Sequence, residues 1–520
     1  MSTAAATLLD LFDEVVASDG AREAFVQRTA EGTDRITFAE LAARSVALAR
    51  WLADERGVRR GDVVGIMLPS GIDYAVAYHA IIRAGAVATG INPRLGPAEV
   101  HHIHRAAGPV HVFDGPLPHL DALDPNERVA EVSPTDPVAI VWTGGTTGLP
   151  KGAWFDHECL KAMALGAAPL SAHGDRRLSP LPFAHVGFMT RAWDEWSHRI
   201  TTVIAPTPWT AVSTLDIIGA ERVTVCQGVP TQYRLMFDAP SFELTDTSHL
   251  RIAGIGAARI PPELVREMRE RLGCPVVVRY ASTEGCVITG TRLDDADDVV
   301  CTTVGRPNGG GKVKLIDDAG RAVDTGDVGT VCVNTRAMMR GYWNEPERTA
   351  EAIDAEGWLH TGDLGWFGAD GNLRLSGRRT EMYIRGGYNV FPAEVEEVLR
   401  QGEEVIAHPP ASAEAAGAPT VNSAWPLALR PVASVNSTLK AYRPALGGVT
   451  LRACERADCS ASAGPSTWRH CTLAICAPGQ ASSATSWLRP ATAPLGKASC
   501  ATEPVWHCVD SGGTAPPPGA

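Results

Sequence analysis

The sequence predicts an α/β fold built on parallel strands, and three features of its first 400 residues support that prediction. Short apolar segments suited to buried strands alternate with longer segments of helical periodicity. Helix-capping and turn residues separate the two kinds of segment. Parallel strands need a crossover connection, usually a helix, so this alternation indicates βαβ units. The length of 520 residues exceeds what one compact core usually holds, so two or more domains are expected.

The elements follow in chain order. Thr37 and Glu40 form a capping box, and the next residues place leucines on one helical face. The segment 63–68 reads as a short buried strand, 74–83 as a helix and 86–89 as the next strand.

Later segments repeat the pattern and then change it. Pro261 and Pro262 start a helix that closes at Gly273, and 276–279 is the following strand. After about Val300, short segments separated by Asp-Gly and Gly-rich turns predict a smaller β-rich subdomain.

Composition and charge exclude several classes of function. The formal net charge is −12, which argues against a general binder of nucleic acid or anionic membranes. The most apolar stretch, 74–91, contains His79 and Arg83, so no membrane span is expected. A secretion signal would have a basic start followed by an apolar run, and the first residues show neither feature. We expect a cytoplasmic protein.

The composition changes after about Glu404. Residues 405–520 carry 13 charged side chains, about half the density of the whole chain, yet hold six of the twelve cysteines and four tryptophans. Ala, Ser and Pro are frequent, and neither helical nor strand periodicity is clear. The sequence therefore predicts an atypical tail, either disordered or translated out of frame, and the second alternative is favoured because Cys and Trp are rare in linkers.

A glycine- and threonine-rich string follows the apolar strand 138–142. It reads Thr143-Gly144-Gly145-Thr146-Thr147-Gly148-Leu149-Pro150-Lys151-Gly152. Small residues let a backbone wrap closely around phosphate, while free N–H groups, hydroxyls and the Lys151 ammonium supply donors and charge. A flexible surface loop is the alternative for a bare glycine run.

This string resembles the phosphate loop of the acyl-adenylate-forming (AMP-binding) superfamily, and further resemblances follow in the same order. They are Leu181-Pro182-Phe183-Ala184-His185-Val186-Gly187, Gly256-Ala257-Ala258, Tyr280-Ala281-Ser282-Thr283-Glu284, Gly341-Tyr342-Trp343, Thr361-Gly362-Asp363, Gly377-Arg378 and the stretch from Ile384 to Glu396. The similarity covers about residues 10–403 and is greatest to fatty-acid and related acid–CoA ligases.

The resemblance implies a large N-terminal adenylation domain, 1–379, with two parallel-type sheets and a β-rich subdomain. A hinge and the start of a small C-terminal domain would occupy 380–404, and the aberrant tail 405–520. The expected substrates are ATP, CoA and a small carboxylic acid, with Mg²⁺ as cofactor. The oligomeric state cannot be inferred.

The resemblance also implies residue roles. Lys151 and Thr283 would contact phosphate, and Glu284 would hold Mg²⁺ with Thr143 as a possible further ligand. The loop 143–148, the adenine-side loop 256–258 and the segment 280–282 would contact the nucleotide. Tyr280 would stack on adenine, Asp363 would accept both ribose hydroxyls, and Arg378 would help to hold the ribose.

Several assignments leave alternatives open. His185 would gate the acyl tunnel, or else be a packed core residue. Gly386 and Gly387 would let the pantetheine arm pass, or else form a plain β-turn. Thr380 stands where the family usually has Asp at the hinge. Lys497 ends a Pro-rich string resembling the late catalytic lysine motif, but its proline is one residue too far away, so a chance match is the alternative.

The motifs thus predict an acid–CoA ligase that proceeds through acyl-AMP. Two alternatives remain open at this point. One is a ligase that loads the acyl group onto a carrier protein, and the other is a nucleotide-binding remnant without a working C-terminal domain.

Overall fold

The computed structural model describes residues 4–29, 32–143 and 149–379. Beyond them it gives the backbone of four short strands, at 383–385, 388–390, 450–451 and 475–476. The chain divides into two units, 1–429 and 430–520. The predicted hinge residue Thr380 and nearly all of the predicted tail 405–520 lie outside the described residues.

The helices of the described residues begin early and recur through the first 352 residues. They are α1 Leu8–Asp19, α2 Phe38–Asp54, α3 Ile72–Arg83, α4 Pro97–Ala107, α5 His157–Leu165, α6 Val186–Met189, α7 Ala192–Ser197, α8 Ala211–Ala220, α9 Pro230–Asp238, α10 Pro262–Leu272, α11 Asp297–Thr302 and α12 Pro346–Ala352, with one 3₁₀ turn at Phe242–Leu244.

The strands alternate with these helices until about residue 300 and then follow one another. They are β1 Glu23–Arg28, β2 Thr33–Thr37, β3 Val63–Ile66, β4 Val87–Gly90, β5 His111–Phe113, β6 Pro137–Thr143, β7 Lys151–Asp156, β8 Arg176–Ser179, β9 Thr201–Ile204, β10 Val225–Gly228, β11 Ile252–Gly256, β12 Val276–Ser282, β13 Cys286–Gly290, β14 Arg306–Pro307, β15 Lys312–Ile316, β16 Gly329–Asn334, β17 Gly341–Tyr342, β18 Leu359–Phe367, β19 Leu373–Arg378, β20 Tyr383–Arg385, β21 Tyr388–Val390, β22 Thr450–Leu451 and β23 Ile475–Cys476.

Three sheets organise the first unit. Sheet A has the order β14-β13-β12-β11-β10-β8-β9-β1-β2, sheet B the order β17-β7-β6-β4-β3-β5, and sheet C the order β15-β16-β18-β19. The pairs β20–β21 and, in the second unit, β22–β23 are antiparallel. The predicted α/β class, with two large sheets and a β-rich subdomain, is confirmed.

The sheets differ from the prediction in one respect, because the two large sheets are mixed. The interior strands of sheet A run parallel, as in β10–β11 and β11–β12, but β2, β13 and β14 pair antiparallel at its edges. In sheet B, β7 and β17 are also antiparallel. The connections from β1 to β2, from β6 to β7 and from β12 to β13 are too short for a crossover helix, which forces the antiparallel direction in these three pairs.

Local signals place the helix ends where the sequence predicts them. The Thr37 hydroxyl accepts from Glu40 N at 3.2 Å and the Glu40 carboxylate accepts from Thr37 N at 2.8 Å, which completes the capping box. Helix α10 begins at Pro262, and Gly273 ends it with a left-handed φ of 66°. An N-terminal cap such as Thr37 typically contributes about 1 kcal/mol.

Two large apolar cores fix the sheets. One joins helices α1–α3 and α5–α7 to sheet B and to the first strands of sheet A, and its largest fully buried side chains include Trp193 and Trp196. The other packs α8, α9 and α10 against one face of sheet A. Within the described residues, none of the helices has the length and apolar character needed to span a bilayer.

Candidate active site

A buried carboxylate links sheet C to sheet A. The antiparallel register of β18 and β19 sets Asp363 opposite Arg378, and Arg378 Nε lies 3.1 Å from Asp363 Oδ1. From the end of β12, the Tyr280 hydroxyl donates to Asp363 Oδ2 at 2.5 Å. Asp363 is only 8% exposed, while the Arg378 side chain is half exposed. A carboxylate accepts about four hydrogen bonds, so both oxygens of Asp363 keep capacity for further donors.

Tyr280 is held as a hydrogen-bond donor. Burial, and then the charge of Asp363, raise the pKa of the Tyr280 hydroxyl well above 10. The phenol therefore keeps its proton at neutral pH and orients the Asp363 carboxylate. The stacking of Tyr280 on adenine stays a prediction.

A second set of contacts surrounds Glu284, four residues after Tyr280. The Tyr342 hydroxyl donates to Glu284 Oε1 at 3.0 Å, and Met339 N donates to the Glu284 carbonyl at 2.8 Å. The Lys151 ammonium lies 5.1 Å from the centre of the Tyr342 ring. Tyr342 thus joins the predicted metal-binding carboxylate to the predicted phosphate-binding lysine.

The phosphate-loop string connects two paired strands. Thr143 at the end of β6 lies opposite Lys151 at the start of β7. Trp142 Nε1 donates to the Thr89 hydroxyl at 2.8 Å, and the His102 ring contacts the Pro150 carbonyl at 2.9 Å. Both ends of the loop are therefore anchored, and the pairing puts Thr143 and Lys151 on the same face of the sheet. Gly144, Gly145, Thr146, Thr147 and Gly148 lie outside the described residues.

The adenine-side loop begins where β11 and β12 approach most closely. A Cβ added to Gly256 would lie 2.5 Å from the Arg279 carbonyl oxygen, so no side chain fits there. Ala257 follows with a left-handed φ of 64°, and both Ala257 and Ala258 are exposed. Ala257 thus has a backbone conformation that residues other than glycine rarely adopt and that occurs most often at functional sites.

The segment after Tyr280 turns sharply toward Glu284. Ser282 Oγ accepts from Gly285 N at 2.8 Å, and this contact closes the turn. Ala281 is exposed and Thr283 is half-buried. The turn thus brings Thr283 and Glu284 to the same end of sheet A as Gly256.

His185 is exposed and caps helix α6. Its Nδ1 accepts from Gly187 N at 3.1 Å. The neighbouring Phe183 and Phe188 are buried and stack with ring centres 3.7 Å apart. The exposed position argues against the packed-core alternative, and the gating role of His185 stays a prediction.

The residues around Glu284 fit a hydrated magnesium ion. Among the described residues there is no cluster of three or more His, Cys, Asp or Glu side chains that would enclose a metal. Mg²⁺ usually takes one or two protein ligands and completes its octahedron with phosphate oxygens and water. Glu284, with Thr143 as the possible further ligand that the sequence predicts, would be a donor set of that kind.

Some of the sequence-predicted site residues are not described, and one described residue was given no role. Gly386, Gly387 and Lys497 lie outside the described residues, so their roles stay predictions. Tyr342, by contrast, belonged to a quoted motif but had no assigned function. Its contact with Glu284 joins residues 58 positions apart, which no local pattern reveals.

Comparison with known proteins agrees with this geometry. The AMP-binding enzyme family model matches residues 12–343. The chain is 32% identical over 420 residues to 3-[(3aS,4S,7aS)-7a-methyl-1,5-dioxo-octahydro-1H-inden-4-yl]propanoyl:CoA ligase of Rhodococcus jostii, covering 71% of this chain and 79% of the relative. It is 30% identical to fatty acid–[acyl-carrier-protein] ligase ScoC of Streptomyces coeruleorubidus, covering 70% and 76%.

Solved structures show the same architecture. ATP-bound MatB from Rhodopseudomonas palustris superimposes with a TM-score of 0.67 at 27% identity, over 76% of this chain and 84% of MatB. The N-terminal domain of FACL13 from Mycobacterium tuberculosis gives a TM-score of 0.64 at 25% identity, over 71% of this chain and 99% of that domain. The chain therefore belongs to the AMP-binding enzyme family, among its acid–thiol ligases.

Proposed function

We propose that this chain activates a carboxylic acid with ATP to give acyl-AMP and pyrophosphate, and then transfers the acyl group to the thiol of CoA. One observation supports this more than any other. Arg378, Asp363 and Tyr280 form one set of contacts, which would suit the ribose and the adenine. Glu284, Tyr342 and Lys151 form a second set, which would suit the phosphates and their metal ion. The segment 280–284 carries one member of each set, so both sets lie near the end of β12. Such an arrangement suits one extended nucleotide.

The ribose end would use Asp363. Its oxygens are fixed by Tyr280 and Arg378, so they accept ribose hydroxyls without losing their orientation. Charge-assisted hydrogen bonds of this kind are stronger than neutral ones. The exposed half of the Arg378 side chain leaves room for a sugar beside it.

The phosphate end would use Lys151, the loop 143–148 and Thr283. The acid and the α-phosphate are both anions, so their approach needs positive charge and donors where negative charge accumulates in the transition state. Lys151 supplies a full charge, and Thr283 supplies a hydroxyl. Mg²⁺, when bound through Glu284 and Thr143, would neutralise phosphate charge.

The acceptor thiol is proposed to be CoA, with a carrier protein as the second candidate. The relative ScoC is named for transfer to an acyl carrier protein, which favours keeping that candidate. Incubation of the full chain with acid, ATP and either CoA or a phosphopantetheinylated carrier protein, followed by mass spectrometry, separates the two. Acyl-CoA alone supports the proposal, and acylated carrier protein alone contradicts it.

The domain division remains part of the proposal. Residues 1–379 would form the adenylation domain, 380–404 the hinge and the start of the C-terminal domain, and 405–520 an atypical tail. If Lys497 does not act as the late catalytic lysine, the chain would bind ATP but turn over slowly. We also propose a fatty or related acid as substrate and a cytoplasmic location.

Replacing Asp363 by alanine is expected to weaken ATP binding about 10- to 100-fold and to leave acid binding almost unchanged. The substitution removes the acceptor of the ribose hydroxyls, and each charge-assisted bond contributes about 1.5–3 kcal/mol. Calorimetric titration with ATP and with acid measures both affinities. The control is the exposed Asp370→Ala variant, whose aspartate bonds to the nearby residues Asn372 and Arg374. Unchanged ATP affinity in Asp363→Ala would leave Asp363 with only its structural contacts to Tyr280 and Arg378.

A further inference from the structure

Tyr342 occupies one oxygen of the carboxylate that is proposed to bind Mg²⁺. The Tyr342 hydroxyl donates to Glu284 Oε1 at 3.0 Å. Glu284 Oε2, by contrast, has no hydrogen-bond or ion-pair partner among the described residues. The two oxygens of this carboxylate are therefore not equivalent, because one is committed to a protein donor and the other is free for a ligand.

The main chain around this contact is held as well. The Glu284 carbonyl accepts from Met339 N at 2.8 Å, so a backbone hydrogen bond joins the same two segments as the side-chain contact. The Ser282 hydroxyl accepts from Gly285 N at 2.8 Å and closes the turn that carries Glu284. The contact of Glu284 with Tyr342 thus joins two segments whose main chains are already bonded to each other.

Tyr342 is fixed by the short strand β17. It pairs with Ala153 of β7, and its N–H donates to Thr349 Oγ1 at 2.9 Å. A Cβ added to Gly341 would lie 2.8 Å from the Thr349 side chain, so helix α12 packs closely against this strand. Tyr342 is only 7% exposed. A buried ring on a paired strand keeps one direction, and its hydroxyl oxygen therefore stays at Glu284.

The other charged groups near the Tyr342 ring do not replace Glu284 as a metal ligand. The Glu345 carboxylate is paired with Arg348 at 2.8 Å. The Lys151 ammonium lies 5.1 Å from the ring centre and forms no ion pair within the part of the chain that the structure describes. The negative charge that remains available beside Tyr342 is that of Glu284.

The number of free carboxylate oxygens matters more to Ca²⁺ than to Mg²⁺. Mg²⁺ binds oxygens at about 2.0–2.1 Å and demands a nearly ideal octahedron. The two oxygens of one carboxylate lie too close together to fill two corners of that octahedron without distortion. Ca²⁺ takes about six to eight oxygens in a flexible geometry and accepts both oxygens of one carboxylate.

We propose that Tyr342 is a positioning residue that sets the metal selectivity of the nucleotide site. By occupying Glu284 Oε1, it limits the carboxylate to one coordinating oxygen and so favours Mg²⁺ over Ca²⁺. The inference rests on the proposed function and adds the residue that selects the divalent ion. Ca²⁺ loses a carboxylate oxygen that water replaces only in part, whereas Mg²⁺ uses one oxygen in either case.

The test measures ATP binding rather than turnover. The full chain is titrated calorimetrically with ATP in MgCl₂, in CaCl₂ and in EDTA, and the readout is the ratio of the calcium to the magnesium dissociation constant. We expect the unmodified chain to bind ATP about tenfold or more tightly with Mg²⁺, and Tyr342→Phe to lower the ratio about tenfold. Phenylalanine keeps the ring beside Lys151, so the substitution isolates the hydroxyl.

The matched control is Tyr78→Phe. It removes a buried tyrosine hydroxyl that donates to the Met189 carbonyl rather than to a carboxylate, so its ratio should equal that of the unmodified chain. An unchanged ratio in Tyr342→Phe, or an equal loss of affinity with both ions, would overturn the inference and make Tyr342 purely structural.

The unmodified chain alone also tests the inference. Equal ATP affinities with Mg²⁺ and Ca²⁺, or an affinity that EDTA leaves unchanged, would overturn it whether or not Tyr342→Phe folds. Acid-dependent pyrophosphate release in MgCl₂, measured in parallel, reports on the proposed function itself. Pyrophosphate release without metal discrimination would therefore contradict the inference and leave the proposed function in place.

Discussion

Alanine at Lys151 or at Glu284 is expected to lower the rate of acyl-AMP formation by about 10²–10³ while leaving the melting temperature nearly unchanged. Both side chains are half-buried at the site, and neither has an ion-pair partner within the described ranges. Their charges are thus available to ATP and its metal ion. Removing either one takes away a transition-state contact rather than a packing contact.

Acid-dependent ATP–pyrophosphate exchange, beside a melting curve, measures both effects. Lys312→Ala and Glu263→Ala remove the same charges from exposed positions and serve as matched controls. Tyr342→Phe should show a smaller loss, because it frees the Glu284 carboxylate from one donor without removing it. Exchange at the normal rate in Lys151→Ala or Glu284→Ala would exclude that residue from the site.

Asp194 and Glu195 are consecutive carboxylates of helix α7, and replacing each by its neutral amide should change the stability of the protein in opposite directions. Arg177, His198 and Arg191 outweigh the burial of Asp194 and hold its pKa below the usual range. Burial instead raises the pKa of Glu195 to about 7, against the lowering effects of Arg177, of the hydrogen bond from the Thr202 hydroxyl and of Arg191. Asp194 therefore favours its charged form, and Glu195 favours its neutral form.

Asp194→Asn is expected to destabilise the protein by about 3–5 kcal/mol at pH 7, because two buried arginines lose their counter-charge. Glu195→Gln should instead stabilise it at high pH. The folded protein holds the Glu195 proton more tightly than the unfolded chain, whose pKa is near 4.5, so the contribution of Glu195 is complete below pH 4.5 and is lost as the pH rises through about 7. The gain approaches roughly 3 kcal/mol above pH 7.

Denaturant unfolding of the two variants between pH 5 and pH 8.5 tests this pair. We expect the free energy of unfolding to depend less on pH in Glu195→Gln, and to be lowered at every pH in Asp194→Asn. Equal destabilisation by both substitutions would mean that Glu195 is charged in the folded protein.

Much of the fold was predictable because its signals are local. Capping residues such as Thr37 and Pro262, and apolar segments of the right period, determine helices and strands within a few residues. The direction of the edge strands was less predictable. The direction of a strand depends on which neighbour it pairs with. A short turn, such as the one before Cys286, makes two consecutive strands pair antiparallel, but this pairing is established only when the sheet forms.

The candidate site also has features that the sequence predicts and features that it does not. Motif residues such as Asp363 and Glu284 were identifiable because they stand in ordered strings. Their partners were not, since Asp363 meets Tyr280 across 83 positions and Glu284 meets Tyr342 across 58. Arg191 was not recognisable as a buried charge either, because an arginine in a sequence reads as a surface residue until its burial is known.

The central claim, that the chain forms acyl-adenylates, is tested most directly by acid-dependent exchange of labelled pyrophosphate into ATP. The full chain should exchange label with Mg²⁺ and a suitable acid, and only at background without the acid, since the acyl-AMP must form and revert. A panel of fatty and related carboxylic acids covers the proposed substrate class. Tight ATP binding with background exchange for every acid in the panel would contradict the account and leave a nucleotide-binding protein without ligase activity.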